Sequence, residues 1–323
     1  MRLKKFLSVL CAVITAVLAC GCTANRKNIS VAVIVKAVDS DFWHKDSNGV
    51  SSAAKEYNFD VTFEGPENEE DYEKQNEMIN RAVEKGVDAI VLSAIDYKKN
   101  SDAVTKAVKN GVKVITIDSS VASKQVSMFI GTDNKAAGRA AGKAAADTFI
   151  EDGRVHIGIV NYYKSTDNGI KREEGFREYI DSVKNADIAA AVNTESNTGS
   201  AAAAAEALLK ENPQINVLVG FNEWMTLGIG EAVKNLGLSE KVRCIGFDTN
   251  VTSLGMLETG EMDVLIVQNP FAIGFLGIKN AVDIVNGTAS SQGELFTDVT
   301  AVTKNNIFDK DIQKLLFGLG KRE

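Results

Sequence analysis

Asp118 and Asp248 each stand just beyond a β-branched run, the first after 112–117 and the second after 242–246. Two carboxyls facing one ligand can assist cleavage of a glycosidic bond, so a glycosidase is one chemistry open to them. The other is recognition without bond making, in which carboxylates accept hydrogen bonds from hydroxyls. Metal and nucleophilic chemistry find few residues. His44 and His156 are the two histidines, and His156 alternates inside the apolar run 154–160, which fits a strand better than a ligand or a base. Of the four cysteines, Cys11, Cys20 and Cys22 lie near the N-terminus, leaving Cys244 alone in the body, too few for a disulfide framework or a cysteine metal site. No G-x-G-x-x-G follows a strand and no Walker A sequence occurs, so no nucleotide cofactor is expected, nor any other cofactor or metal.

These residues have to be positioned by something. Short β-branched runs at 30–35, 61–63, 89–93, 112–117 and 127–130 alternate with segments of helical period at 43–57, 71–85 and 101–109. The pattern then restarts, with runs at 154–160, 188–191, 217–221, 242–246 and 264–267. An α/β fold of two Rossmann-like lobes is expected, each a parallel sheet covered by crossover helices.

In open α/β sheets ligands bind beyond the carboxyl ends of the strands, and those positions are polar here. In the first half they hold Lys36, Ser40, Phe42, Trp43, Ser93, Asp96 and Asp118. In the second they hold Asn161, Tyr162, Tyr163, Asn222, Glu223, Asp248, Gln268 and Asn269. Any single Asp could be a helix N-cap or a solvated turn, and Phe42-Trp43 could be a hydrophobic staple at a helix start. Together, carboxylates, amides, a candidate Arg and adjacent aromatics suit a neutral polyhydroxylated ligand, whose hydroxyls pair densely and whose C–H faces stack on rings. A phosphate would ask for a cationic pocket or an amide nest, and neither stands out.

The N-terminus reads as an address. Arg2, Lys4 and Lys5 precede an uncharged, mostly apolar run over 6–19, the form of a secretory signal. Residues 17–20 and 19–22 each resemble a lipobox, with Cys20 the favoured site of lipidation and Cys22 the alternative; an ordinary cleaved signal is the remaining reading. Residues 20–28 would then be a tether holding an exported domain at the outer face of the membrane. With 36 basic against 43 acidic residues, the net charge of −7 repels nucleic acid, and removing Arg2, Lys4 and Lys5 deepens it. At 45% hydrophobic and 24% charged, the 323 residues have the balance of a globular protein of about two domains.

With these residues in order, the chain resembles the type I periplasmic-binding-protein fold, in its ribose/galactose-type sugar-binding branch. The resemblance is carried by Asp41-Phe42-Trp43, Gly65-Pro66 with Glu70 and Gln75, Thr116-Ile117-Asp118-Ser119, and Gly131-Thr132-Asp133-Asn134. It continues through Arg172-Glu173-Glu174-Gly175-Phe176, Phe221-Asn222-Glu223, Gly246-Phe247-Asp248, Gln268-Asn269-Pro270 and Val302-Thr303-Lys304. It implies that Phe42 and Trp43 sandwich a sugar ring, that Asp118, Asn222 and Asp248 bond its hydroxyls, and that Arg172 clamps from the second lobe. Gln268 would lie near an interlobe crossing and Ser40 at a position often occupied by Asn; Lys36 would line the cleft or stay in a solvated loop. Ser119 and Ile170 stand where ribose binders carry Arg, which sets ribose itself in question, and Asp46 stands where relatives usually carry an aliphatic.

The resemblance further implies three crossings, near Asp133, near Asn269 and across 294–296. They divide the chain into an N-terminal lobe of 29–132 and 269–295 and a C-terminal lobe of 133–268 and 296–323. The expected function is monosaccharide or polyol capture by a monomer that serves an ABC importer permease, without enzymatic turnover. The alternative is a sugar sensor partnering a chemoreceptor or histidine kinase. A repressor of the same ligand-binding fold would need a helix-turn-helix where this chain carries the export signal.

Overall fold

The computed structural model describes residues 29–147, 153–289 and 293–317. The signal, the tether and both Cys20 and Cys22 fall outside them, as do residues 318–323. The first sheet is built from β1 (Ser30–Ile34), β2 (Asp60–Glu64), β3 (Ala89–Leu92), β4 (Lys113–Ile117), β5 (Met128–Thr132) and β11 (Glu294–Thr297), in the order β2-β1-β3-β4-β5-β11. The second uses β6 (Val155–Asn161), β7 (Ala186–Asn193), β8 (Val217–Gly220), β9 (Arg243–Phe247), β10 (Val264–Val267) and β12 (Thr300–Thr303), in the order β7-β6-β8-β9-β10-β12. The first five strands of each sheet follow one topology, so the lobes are two copies of one doubly wound plan. Pairing is parallel except where β12 runs antiparallel to β10. The central strands are apolar because both faces are covered: β3, β8 and β10 are buried throughout, whereas the edge strand β2 alternates with exposed positions.

Helices close the crossovers in chain order: α1 (Asp41–Tyr57), α2 (Tyr72–Glu84), α3 (Ser101–Lys109), α4 (Asn134–Asp147) and α5 (Asp167–Ile180). They continue with α6 (Thr198–Glu211), α7 (Glu223–Asn235), α8 (Val251–Thr259), α9 (Pro270–Val285) and α10 (Lys310–Phe317). Local chemistry sets their starts. Ser40, Asp71, Asn197, Asn222, Asn250 and Asn269 each accept a backbone N–H of the first turn, and Pro270 occupies the first turn of α9, where its missing N–H costs nothing. Asn58 and Gly260 take the left-handed conformation that ends α1 and α8.

The chain passes between sheets after β5, after β10 and after β11. Asp133 fills the first passage and caps α4, its carboxylate accepting the Ala136 N–H at 2.9 Å; Asn269 fills the second and caps α9. The third passage lies later than the sequence implied. Phe296 was expected in the C-terminal lobe, but Phe296 and Thr297 pair with Gly131 and Thr132, so β11 stays with the first sheet. Neither β11 nor β12 was anticipated, because their short half-exposed runs lack the continuous apolar signature of the central strands.

Each lobe contains a matching helix pair that packs closely enough to need glycine. A Cβ on Gly49 of α1 would collide with the Phe271 carbonyl of α9, and one on Gly274 of α9 with the Asp46 carbonyl of α1. The second lobe repeats the arrangement with Gly138 of α4 against Arg172 and Gly175 of α5 against Lys135. Gly255 of α8, by contrast, faces open space. Gly49→Ala and Gly274→Ala should therefore each cost about 1–3 kcal/mol and lower the melting temperature by several degrees, while Gly255→Ala should be neutral or stabilising. Equal melting temperatures for the three variants would contradict the close helix approach.

Candidate functional site

The carboxyl ends of the two sheets face each other across a cavity lined by residues of both lobes. Asp118 and Asp248 hold matching places in it. Each follows the fourth strand of its sheet, each has positive φ (54° and 67°), and each backbone N–H donates at 3.1 Å to the neighbouring strand, to Ile130 O and Ile266 O respectively. A left-handed Asp is costly enough to need enforcement, and here the turn aims each carboxylate along the strand axis into the cleft.

Asp118 is the most heavily bonded group. Lys36 Nζ lies 3.2 Å from Oδ2, Ser93 Oγ donates to the same oxygen at 2.9 Å, and Asn168 Nδ2, from the other lobe, reaches both oxygens at 2.9 and 3.0 Å. Arg172, also from the other lobe, approaches Oδ1 at 3.8 Å. Its Nε donates to Asn134 Oδ1 and its Nη1 to the Phe221 carbonyl, both at 2.8 Å, while Nη2 is buried without a hydrogen bond. Lys36 lines the cavity instead of standing in a solvated loop: it is 3% exposed, with the Trp43 and Tyr162 rings 5.8 and 5.6 Å away. Burial works against its charge, but the carboxylates of Asp118 and Glu69 outweigh that and hold its pKa above the usual lysine value.

On the opposite wall Gln268 links the hinge to the cleft. Its Oε1 accepts from Thr132 Oγ1 at 2.8 Å and its Nε2 donates to Asp248 Oδ1 at 2.7 Å. Burial raises the pKa of Asp248, with the Arg172 charge and the Gln268 hydrogen bond opposing the rise. Asn222 caps α7 through Oδ1 and donates from Nδ2 to Ser196 Oγ at 2.8 Å. Ser40 is also a cap, accepting the Trp43 N–H at 3.4 Å, so both residues start a helix and border the cavity.

Phe42 and Trp43 line the cavity, but not as a sandwich. Their rings meet edge to face, 4.8 Å apart at 84°, so they cannot stack on opposite faces of one ring. Trp43 is held in this pose by its Nε1, which donates to Glu69 Oε1 at 3.2 Å. All nine residues singled out for ligand contact (Lys36, Ser40, Phe42, Trp43, Asp118, Arg172, Asn222, Asp248 and Gln268) border this one cavity. Glu69, Asn168, Glu223 and Trp224 join them. Asn168 was legible: it lies one helical turn before Arg172, on the same face of α5. Glu69 follows β2 at its carboxyl end, the position rule that found the others.

The described lobes are shut on each other by direct bonds. Glu69 Oε2 accepts from Ser196 Oγ at 2.8 Å, Glu223 Oε2 accepts the Phe42 N–H at 3.2 Å, and Lys45 Nζ donates to the Thr249 carbonyl at 2.9 Å. At another edge Tyr163 Oη donates to Asp96 at 3.1 Å and Thr166 Oγ1 to the Ile95 carbonyl at 3.0 Å. Asp96 also accepts the Lys98 and Lys99 N–H groups, so it is both a turn residue and an interlobe contact. Ile170 is exposed and takes no part in the cavity lining. Among the described residues no group of three or more His, Cys, Asp or Glu is placed to hold a metal, and no helix is long and apolar enough to cross a membrane.

Among the described residues, Asn168 is the sole second-lobe residue that hydrogen-bonds the Asp118 carboxylate. Asn168→Ala should disfavour closure by about 1–3 kcal/mol, seen as a longer distance between fluorophores placed one on each lobe. An unchanged distance would show that this bond does not hold the lobes together.

The profile of the periplasmic binding protein domain family matches residues 31–289. The chain is 25% identical to the D-allose-binding periplasmic protein of Escherichia coli over 259 residues, 78% of this chain and 83% of that one. It is 27% identical to a D-ribose/D-allose-binding protein of Pseudomonas aeruginosa, over 84% of this chain and 88% of that one. Among solved structures it is similar to a carbohydrate transporter solute-binding protein of Agrobacterium radiobacter in complex with D-arabinose, with 28% identity and a TM-score of 0.87, covering 90% of this chain and 100% of that chain. An ABC transporter solute-binding protein of Agrobacterium vitis with bound D-fucose matches at 29% identity and a TM-score of 0.84, covering 89% and 100% of the two chains. A bilobed pair of doubly wound sheets, facing cleft carboxylates and a family profile spanning both lobes lead to one conclusion: the chain belongs to the periplasmic binding protein family, in its type I, ribose-type form.

Proposed function

We propose that this protein captures a monosaccharide or similar polyol between its lobes and delivers it to an ABC importer permease. The observation that carries the reading is the chemistry of the cavity. Four carboxylates (Glu69, Asp118, Glu223 and Asp248), the amides of Asn168, Asn222 and Gln268, two cations and Trp43 surround it. A polyol offers a donor and an acceptor at every hydroxyl, and this set answers both. Arg172 Nη2, buried without a hydrogen bond and 3.8 Å from Asp118 Oδ1, has donor capacity left for a ligand oxygen. The names of the relatives, binders of allose, ribose, arabinose and fucose, support the same class.

The mechanism is conformational. Each interlobe hydrogen bond contributes a net of about 0.5–1.5 kcal/mol, so the contacts described leave open and closed forms within reach of each other. A sugar bonded by both lobes binds the closed form more tightly and shifts the population toward it. A permease that reads the closed surface then receives loaded protein. The lipobox-like residues 17–20 support attachment through Cys20, with Cys22 the alternative, which would keep an exported monomer beside its transporter.

A thermal-shift screen of pentoses, hexoses and polyols tests this. A sugar at 100 times its dissociation constant should add about 2.7 kcal/mol and raise the melting temperature by several degrees. Asp248→Asn and Trp43→Leu should weaken that sugar by about 10-fold or more. No shift with any carbohydrate, or a shift with amino acids alone, would sink the sugar reading while leaving the fold intact.

A further inference from the structure

Asp46 has no place in the ligand chemistry above, yet it is fully buried and neither carboxyl oxygen has a hydrogen-bond partner. Leaving a charged carboxylate in that state is far costlier than neutralising it. Its position is informative. Asp46 lies five residues after Asp41, the first residue of α1, and three before Gly49, the residue of closest approach to α9. Arg172 lies five after Asp167, the first residue of α5, and three before Gly175, the residue of closest approach to α4. Backbone contacts match as well: the Asp46 carbonyl faces Gly274 and the Arg172 carbonyl faces Gly138. Asp46 is thus the first-lobe counterpart of the cleft arginine.

The surroundings leave it without compensation. On α9 the segment 270–278 has no ionisable side chain, and Oδ2 rests against Gly274. From the sheet, Asp118 is the charged group that faces it; on its own helix Asp41, His44 and Lys45 lie nearby in sequence, and Lys45 is turned to Thr249 of the other lobe. Glu223 comes from that lobe to the first turn of α1, at Phe42. Burial first, and the Asp118 charge second, push the Asp46 carboxyl well above the ordinary range. The first two turns of α1 are also where the lobes meet, through Phe42 with Glu223 and Lys45 with Thr249. Asp46 follows Lys45 directly in this helix, so its charge state acts on the stretch that carries both interlobe contacts.

We propose that Asp46 is a proton-bearing positioning residue of the capture cleft: neutral while the lobes are closed, it leaves Asp118 undisturbed to bond Lys36, Asn168 and the ligand, and its ionisation opposes closure. This rests on the capture reading of the cleft. The sign follows from linkage. A carboxyl whose pKa is higher in the closed form than in the open form takes up a proton on closure, so affinity is full below the open-form pKa and is lost as pH rises through the closed-form pKa.

The test is calorimetric titration with D-ribose, D-allose and D-arabinose from about pH 5.5 to about pH 8.5, in two buffers of different ionisation enthalpy to count protons. The wild type should take up a fraction of a proton to one proton per sugar bound and weaken by as much as about tenfold per pH unit where uptake is complete. Asp46→Asn and Asp46→Leu should bind with less uptake and a flatter pH profile, the leucine variant guarding against a poorly tolerated amide. Equal uptake and equal slopes in wild type and variants would overturn the proposal. Failure of all three sugars to bind would count against the sugar reading, and infrared spectroscopy of the ligand-free protein would still decide on Asp46. A protonated-carboxyl band at neutral pH that Asp46→Leu lacks supports the proposal, and its absence from the wild type overturns it.

Discussion

A carboxylate taken out of water must be met by charge and by donors, and Asp118 meets that demand by drawing on both lobes. Lys36 and Ser93 come from its own sheet; Asn168 and Arg172 come from the other. Removing the charged partner Lys36 costs about 3–5 kcal/mol, because the carboxylate left behind keeps its desolvation penalty. With the lobes apart, Asn168 and Arg172 are withdrawn and water takes their place. The bonds of this one side chain therefore join the other interlobe bonds, such as Glu69 with Ser196 and Phe42 with Glu223, in holding the closed form.

The scaffold is arranged to hold that side chain still. The turn after β4 puts Asp118 in the left-handed region, and the equivalent turn after β9 does the same for Asp248. Gln75, fully buried on α2, donates to the Val35 and Ser93 carbonyls and accepts the Ile95 N–H, fastening the ends of β1 and β3 where Lys36 and Ser93 emerge. Glycine contacts between α1 and α9, and between α4 and α5, set helix positions from which Trp43 and Arg172 reach the cleft. The same plan used twice yields a cleft whose walls are chemically different but geometrically matched, with Asp46 and Arg172 as the clearest case of divergence at equivalent positions.

Much of this was legible in the residues. Continuous β-branched runs marked the central strands, since a strand covered on both faces has no polar alternation to disguise it. Of the residues following those runs, Lys36, Ser40, Phe42, Trp43, Asp118, Asn222, Glu223, Asp248 and Gln268 border the cavity, while Ser93, Asp96, Asn161, Tyr162, Tyr163 and Asn269 do not. What was not legible depended on distance in the chain. Glu69 meets Ser196 and Phe42 meets Glu223 only because two lobes close, and no local pattern records a contact between residues so far apart in sequence. The sandwich expected of Phe42 and Trp43 failed for the same reason: Glu69 fixes the indole from a loop that adjacency in sequence does not reveal. β11 and the placement of Phe296 were missed because a short edge strand, exposed on alternate residues, resembles a loop until its partner β5 is known.

Ser40 and Asn222 carry two duties: they start α1 and α7 where the chain enters the cavity, so capping the helix and bordering the cavity are the same placement. The central claim is that a ligand bonded by both lobes closes them. Small-angle X-ray scattering of the wild type, with and without the sugar that gives the largest thermal shift, tests it most directly. The account predicts a smaller radius of gyration when the sugar is bound; a sugar that binds with no change in the radius of gyration would contradict it.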